Sequence, residues 1–188
     1  GKAKEESGIN PQDLYAASKA SAEFIGIQYA NTFQTDFRIG RLYFVYGPGK
    51  MPSTFFTLYQ LTFGILEGLK GLTSDKGSDQ LLDFTYILDA AQGIYLLFKK
   101  ENPKHRIYNF SSGKIYKVEE VVKLCRKYTH FSGDIFLGKG VLMDRVEGLD
   151  ITRAEKDLGY QPAYGIEEGV RLYSEWIKFK KQTITPCY

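Results

Sequence analysis

Apolar positions along the chain change period repeatedly. Leu14, Ala17, Ala20, Phe24 and Ile27 recur at helical spacing. They follow a start signal: Asn10 as a cap, Pro11 at the first helical position and Asp13 in the first turn. The pattern predicts a helix from about Pro11 to Asn31. The β-branched and aromatic run Phe37–Val45 then predicts a strand, closed by the turn Tyr46-Gly47-Pro48-Gly49. A second helix is expected over Ser53–Leu69, then a polar loop over Thr73–Gln80 and a short strand over Asp83–Ile87. Asp89 opens a helix over Ala90–Lys99, and Arg106–Phe110 is a further strand before the turn Ser111-Ser112-Gly113. Val118, Val121, Val122, Cys125 and Tyr128 mark one face of another helix. A small strand at Asp134–Phe136, a short helix at Thr152–Leu158 and a last helix at Glu167–Lys180 complete the series. Strands alternating with helices predict an α/β fold.

With 188 residues, 43% of them hydrophobic, the chain can bury a substantial core. Its 25 basic and 22 acidic residues are too evenly matched to imply a nucleic-acid partner. The basic residues near the end, Lys178, Lys180 and Lys181, suit the C-terminus of a helix. Cys125 and Cys187 do not suggest a disulfide framework, so a reducing cytoplasm is expected. No apolar run approaches the roughly 20 residues that span a bilayer, so no membrane association is expected. His105 and His130 are isolated, and no metal site is expected. The opening residues read as a chain cut in mid-domain rather than as a signal peptide.

The candidate chemistry is a tyrosine and a lysine. Tyr15 and Lys19 are four apart on the first helix and therefore share a face. A free tyrosine titrates near 10, and a neighbouring ammonium favours the phenolate. Such a pair can exchange a proton with a substrate hydroxyl or carbonyl.

The surrounding run, Asn10-Pro11-Gln12-Asp13-Leu14-Tyr15-Ala16-Ala17-Ser18-Lys19-Ala20-Ser21-Ala22-Glu23, resembles the active-site helix of extended short-chain dehydrogenases, the group that includes NAD-dependent epimerases and dehydratases. Further matches follow in the family's order. Arg41 to Gly49 is similar to the next strand and turn, and Asp83 to Asp89 to the "D-F-x-Y-V-x-D" segment. Tyr108-Asn109-Phe110 is similar to a "Y-N-I/V" strand. Asp150 to Ala154, Leu158 to Pro162, Glu168-Gly169 and Trp176 are similar to the family's tail.

The resemblance implies the C-terminal part of a Rossmann-type doubly wound parallel sheet merged with a small substrate-binding domain. It divides the chain into the end of the dinucleotide-binding domain (1–70), a mostly substrate-binding portion with elements returning to the sheet (71–182) and a tail (183–188). It implies NAD or NADP as cofactor and a small-molecule substrate, a sugar nucleotide, epimerised or dehydrated through a keto intermediate. Tyr15 and Lys19 would then be catalytic and also hold the cofactor, with Tyr43 and Tyr46 beside the nicotinamide. Phe44 and Leu82 occupy positions where family members often carry a substrate-contacting Asn and a diphosphate-binding Arg. Arg145 is a candidate phosphate contact, and Lys50 and Arg153 are weaker ones. Two copies are expected to pair through the active-site helix.

No glycine-rich dinucleotide turn is present, because Gly64, Gly68 and Gly71 are wrongly spaced for one. The family's catalytic Ser or Thr would precede Gly1. Phe44 and Leu82 leave open a reductase of a non-nucleotide carbonyl compound. A non-catalytic binding domain on the same scaffold is the reading from another class.

Overall fold

The computed structural model describes residues 1–49, 57–129 and 131–183. In chain order it contains β1 (Lys2–Ala3), α1 (Leu14–Phe33), β2 (Ile39–Leu42), β3 (Val45–Tyr46), α2 (Thr57–Glu67), β4 (Leu72–Ser74), β5 (Leu81–Asp83) and β6 (Thr85–Tyr86). These are followed by α3 (Ile87–Lys99), β7 (Ile107–Phe110), β8 (Ile115–Lys117), α4 (Val118–Thr129), β9 (Ile135–Leu137), β10 (Gly148–Leu149), α5 (Thr152–Leu158) and α6 (Ile166–Thr183). The predicted start of the second helix at Ser53, and Lys50, His130 and Cys187, lie outside the described residues.

The strands associate in pairs. β1 with β10, β2 with β7, β3 with β6 and β4 with β9 are parallel, whereas β5 and β8 are antiparallel. Parallel strands require a crossover, and the helices between them supply it, which makes the chain an α/β fold. β2 and β7 run in register from Ile39 opposite Ile107 to Leu42 opposite Phe110.

Two apolar clusters form beneath this frame. The smaller one gathers Leu97, Tyr108, Phe110, Ile151, Ala154, Leu158 and Tyr160 around β7, α3 and α5. The larger one is dominated by aromatic rings. Tyr46 stacks on Phe63 at 4.8 Å, and Phe63 meets Phe84 edge-on at 5.9 Å. Tyr46 is buried, and Gly169 on α6 lies so close to its hydroxyl that any side chain there would collide with it. Tyr46 is therefore a core residue, with no face left for a nicotinamide.

α1 differs from the expectation in two respects. Asp13, not Asn10, caps it: Asp13 is extended (φ −147°, ψ 173°) and its carboxylate accepts the Ala16 N–H at 2.6 Å. The predicted apolar stripe faces inward only in part: Ala17, Ala20 and Ile27 are half-buried, whereas Leu14 and Phe24 are exposed. The inward face continues through Ala16, Glu23, Gly26 and Ala30, and Ala30 alone is fully buried. Gly26 is where the Phe37 ring packs, so closely that a methyl group would overlap it.

The expected strand Phe37–Val45 is interrupted. Phe44 has φ +32°, a left-handed value that is strained for a non-glycine residue, and the break splits the run into β2 and β3. The loop expected over Thr73–Gln80 begins as β4.

Candidate active site

Tyr15 and Lys19 stand on the first two turns of α1, and Tyr15 is 71% exposed. The Lys19 ammonium lies 5.5 Å from the centre of the Tyr15 ring. Both residues line a cleft of about 610 Å³ between α1 and β2, together with Glu23, Gly40, Arg41 and Leu149. No ion pair of Lys19 occurs among the described residues. A phenol and an uncommitted amine thus face one solvent-filled space, as proton exchange with a ligand requires.

The inner end of this cleft is a charged fork. Arg41 on β2 donates through Nε to both Glu23 carboxylate oxygens, at 2.9 and 3.2 Å, and through Nη2 to one of them at 2.7 Å. Its Nη1 donates to the main-chain carbonyl of Glu5 at 3.0 Å. Glu5 is buried, and its carboxylate accepts the Asn109 N–H at 3.0 Å with Arg153 beside it. Arg153 also pairs with Glu6 and donates to the Ile107 carbonyl at 3.0 Å. It therefore spends its guanidinium on the fold. Neither pairing is legible from spacing, because Glu23 and Arg41 are 18 residues apart and Glu5 and Asn109 are 104 apart. The only signal is that both members of the fork fall within the motif runs.

The remaining candidates lie elsewhere. Tyr43 is 5% exposed and its hydroxyl donates to the Val146 carbonyl. Burial pushes its phenol above the ordinary value, and Arg145 opposes that rise. The Arg145 guanidinium sits over the Tyr43 ring at 5.0 Å, and its Nε is buried without a hydrogen-bond partner among the described residues. Tyr43 and Arg145 therefore form a second group, apart from the residues lining the Tyr15 cleft. Phe44 is half-buried, with its ring edge-on to Phe84 at 5.2 Å. Leu82 is 0% exposed, opposite Tyr116 in the β5–β8 pair. A side chain so enclosed serves the core and offers no surface to a ligand.

Comparisons with known proteins agree with this architecture. The family model described as GDP-mannose 4,6 dehydratase matches residues 1–135. The UDP-glucuronate 4-epimerase of Thermodesulfobacterium geofontis is 29% identical over 179 residues, covering 89% of this chain and 51% of the relative. Among solved structures, the dTDP-glucose 4,6-dehydratase of Bacillus anthracis, determined with NAD, superposes with a TM-score of 0.80 at 24% identity, covering 97% of this chain and 57% of that one. The UDP-glucuronic acid 4-epimerase of Bacillus cereus, also with NAD, gives 0.79 at 23% identity, covering 98% and 57%. The chain spans about half the length of the relatives it matches. On the strength of the family match and the ordered motifs, the chain belongs to the NAD-dependent epimerase/dehydratase family of extended short-chain dehydrogenases.

Proposed function

We propose that this chain is the catalytic-helix and substrate-binding half of an NAD(P)-dependent enzyme that epimerises or dehydrates a sugar nucleotide through a keto intermediate. The carrying observation is the Tyr15–Lys19 pair, exposed together at one cleft with the amine 5.5 Å from the ring. In this reading Tyr15 takes the proton of a sugar hydroxyl as that carbon is oxidised and returns it when the carbonyl is reduced. Lys19, unpaired with any carboxylate among the described residues, donates to cofactor ribose hydroxyls. The two groups fit a dinucleotide because both point into the same open cleft and neither is consumed by the fold. Bound NAD would supply the hydride acceptor. The glycine-rich turn that holds its pyrophosphate is absent here and would come from a preceding half.

Arg145 is the proposed diphosphate contact. It is stacked on Tyr43, and a guanidinium held flat presents a fork of donors suited to phosphate oxygens. The division at about residue 70 between dinucleotide-binding and substrate-binding portions is part of the same proposal.

A second reading is favoured by Leu82 and Phe44, which place apolar side chains where the family resemblance leads one to expect polar substrate contacts. It is a reductase of a carbonyl compound without a nucleotide. Cofactor stoichiometry separates the two. The full-length protein, supplied with NAD and with UDP-glucuronic acid, UDP-glucose or dTDP-glucose in turn, is expected to convert one of them while the 340 nm absorbance of NADH ends where it began. Consumption of one NADH per product, when NADH is supplied instead with a carbonyl compound that carries no nucleotide, would establish the reductase, and no conversion of any sugar nucleotide would remove the first reading.

A further inference from the structure

Among the described residues, the side-chain hydrogen bonds that join α1 to another element are those of Glu23 with Arg41. At this end of the helix the large side chains Leu14 and Tyr15 are exposed, and only alanines, Ala16, Ala17 and Ala20, are half-buried. Arg41 also reaches the segment before the helix through the Glu5 carbonyl. One guanidinium thus connects three pieces of backbone around the cleft. The fork is sheltered, with both side chains 19% exposed.

Glu23 is four residues beyond Lys19, as Lys19 is four beyond Tyr15, so the three lie along one face of α1. A carboxylate at that spacing is a natural partner for the Lys19 ammonium. In the structure Lys19 instead lies over the Tyr15 ring, and Arg41 occupies both Glu23 oxygens. We propose that Arg41 is a positioning residue: by holding the Glu23 carboxylate it leaves Lys19 to Tyr15. The proposal rests on the catalytic reading of Tyr15 and Lys19, and it adds the residue that keeps the pair together. Planarity and bidentate geometry suit Arg to this task, because two oxygens are filled at once.

The test reads the Tyr15–Lys19 contact directly, without substrate. Tyrosine and lysine are isotopically labelled in the intact protein, and the nuclear Overhauser effect between the Tyr15 ring and the Lys19 ε-methylene is measured, with Tyr15→Phe identifying the signal. In Arg41→Gln the freed Glu23 competes for Lys19. The contact is then expected to fall to about half, the bias that opposite charges at this helical spacing exert. In the double variant Arg41→Gln/Glu23→Gln the competitor is gone and the contact is expected to return. An unchanged contact in Arg41→Gln overturns the proposal. Equal loss in the single and double variants also overturns it, because Arg41 would then be only a brace. Should Arg41→Gln not fold, Arg41→Lys keeps a cation on Glu23 and is expected to retain the contact. Loss there that Glu23→Gln does not recover is again contradictory. Since no turnover is involved, failure of this test and failure of the catalytic reading are separate results.

Discussion

Asp83 and Asp89, the two acidic residues of the "D-F-x-Y-V-x-D" run, act at the residue scale as brackets. Asp83 is 0% exposed and accepts the Ser112 N–H at 2.9 Å, the Ser112 hydroxyl at 2.6 Å and the Gly113 N–H at 2.9 Å. Asp89 accepts the Ala163 and Tyr164 N–H groups at 2.7 and 3.2 Å. Each ties a loop distant in sequence back to the strand–helix junction that carries it, and each satisfies amides that would otherwise be stranded. Burial pushes the Asp83 carboxyl above its usual value, against the hydrogen bonds from Ser112, Ser111 and Gly113 that lower it. A carboxyl raised on folding holds its proton more tightly in the folded chain than in the unfolded one. Its contribution to stability is therefore present at acid pH and is lost as pH rises through the folded value. Asp83→Asn, which is neutral throughout, is thus expected to show a destabilisation by urea unfolding that shrinks as pH rises above about 4, the ordinary carboxyl value. A penalty that grows with pH would contradict this.

At the scale of elements, α4 and α1 show what patterning can and cannot reveal. On α4 the run Val118, Val121, Val122, Cys125 is buried as its spacing predicts, because branched side chains on one face have one place to go. On α1 the large apolar residues point outward: Leu14, Phe24, Ile25, Tyr29 and Phe33 are all exposed, while Gly26 and Ala30 allow close approach on the inner side. Periodicity reports a face but does not say what covers it. The short strands β4, β8 and β10 are hidden for another reason, since two or three residues carry no alternation and their pairing with distant segments decides them. The candidate site divides in the same way. Tyr15 and Lys19 are local and were readable from one helix, whereas the Glu23–Arg41 fork and the Arg145–Tyr43 stack are products of tertiary contact. The exposed apolar side of α1 is proposed as the surface on which two copies pair. Light scattering of the full-length protein is expected to give a dimer, and Phe24→Glu/Ile25→Glu a folded monomer. A monomeric parent protein would remove the proposal.

At the scale of the whole molecule, β2, β7, α3 and α5 pack around the small cluster, and α2, α4 and α6 pack around the large aromatic one. The segment before α1 is tied to β7 and β10 through Asn109 and the β1–β10 pair. The cleft with Tyr15 and Lys19 sits between α1 and β2, and Arg41 links both to the N-terminal segment. Among the described residues, no helix is long and apolar enough to cross a membrane. The proposed proton transfer depends on the Tyr15 hydroxyl. The most direct measurement is the turnover of full-length Tyr15→Phe on the sugar nucleotide that the protein is proposed to convert, with circular dichroism as the folding control. An exposed phenol can be removed without disturbing the core, so the variant should fold normally and lose about 100-fold or more in kcat. A folded variant that retained turnover within about threefold of the parent enzyme, less than 1 kcal/mol of barrier, would contradict the account.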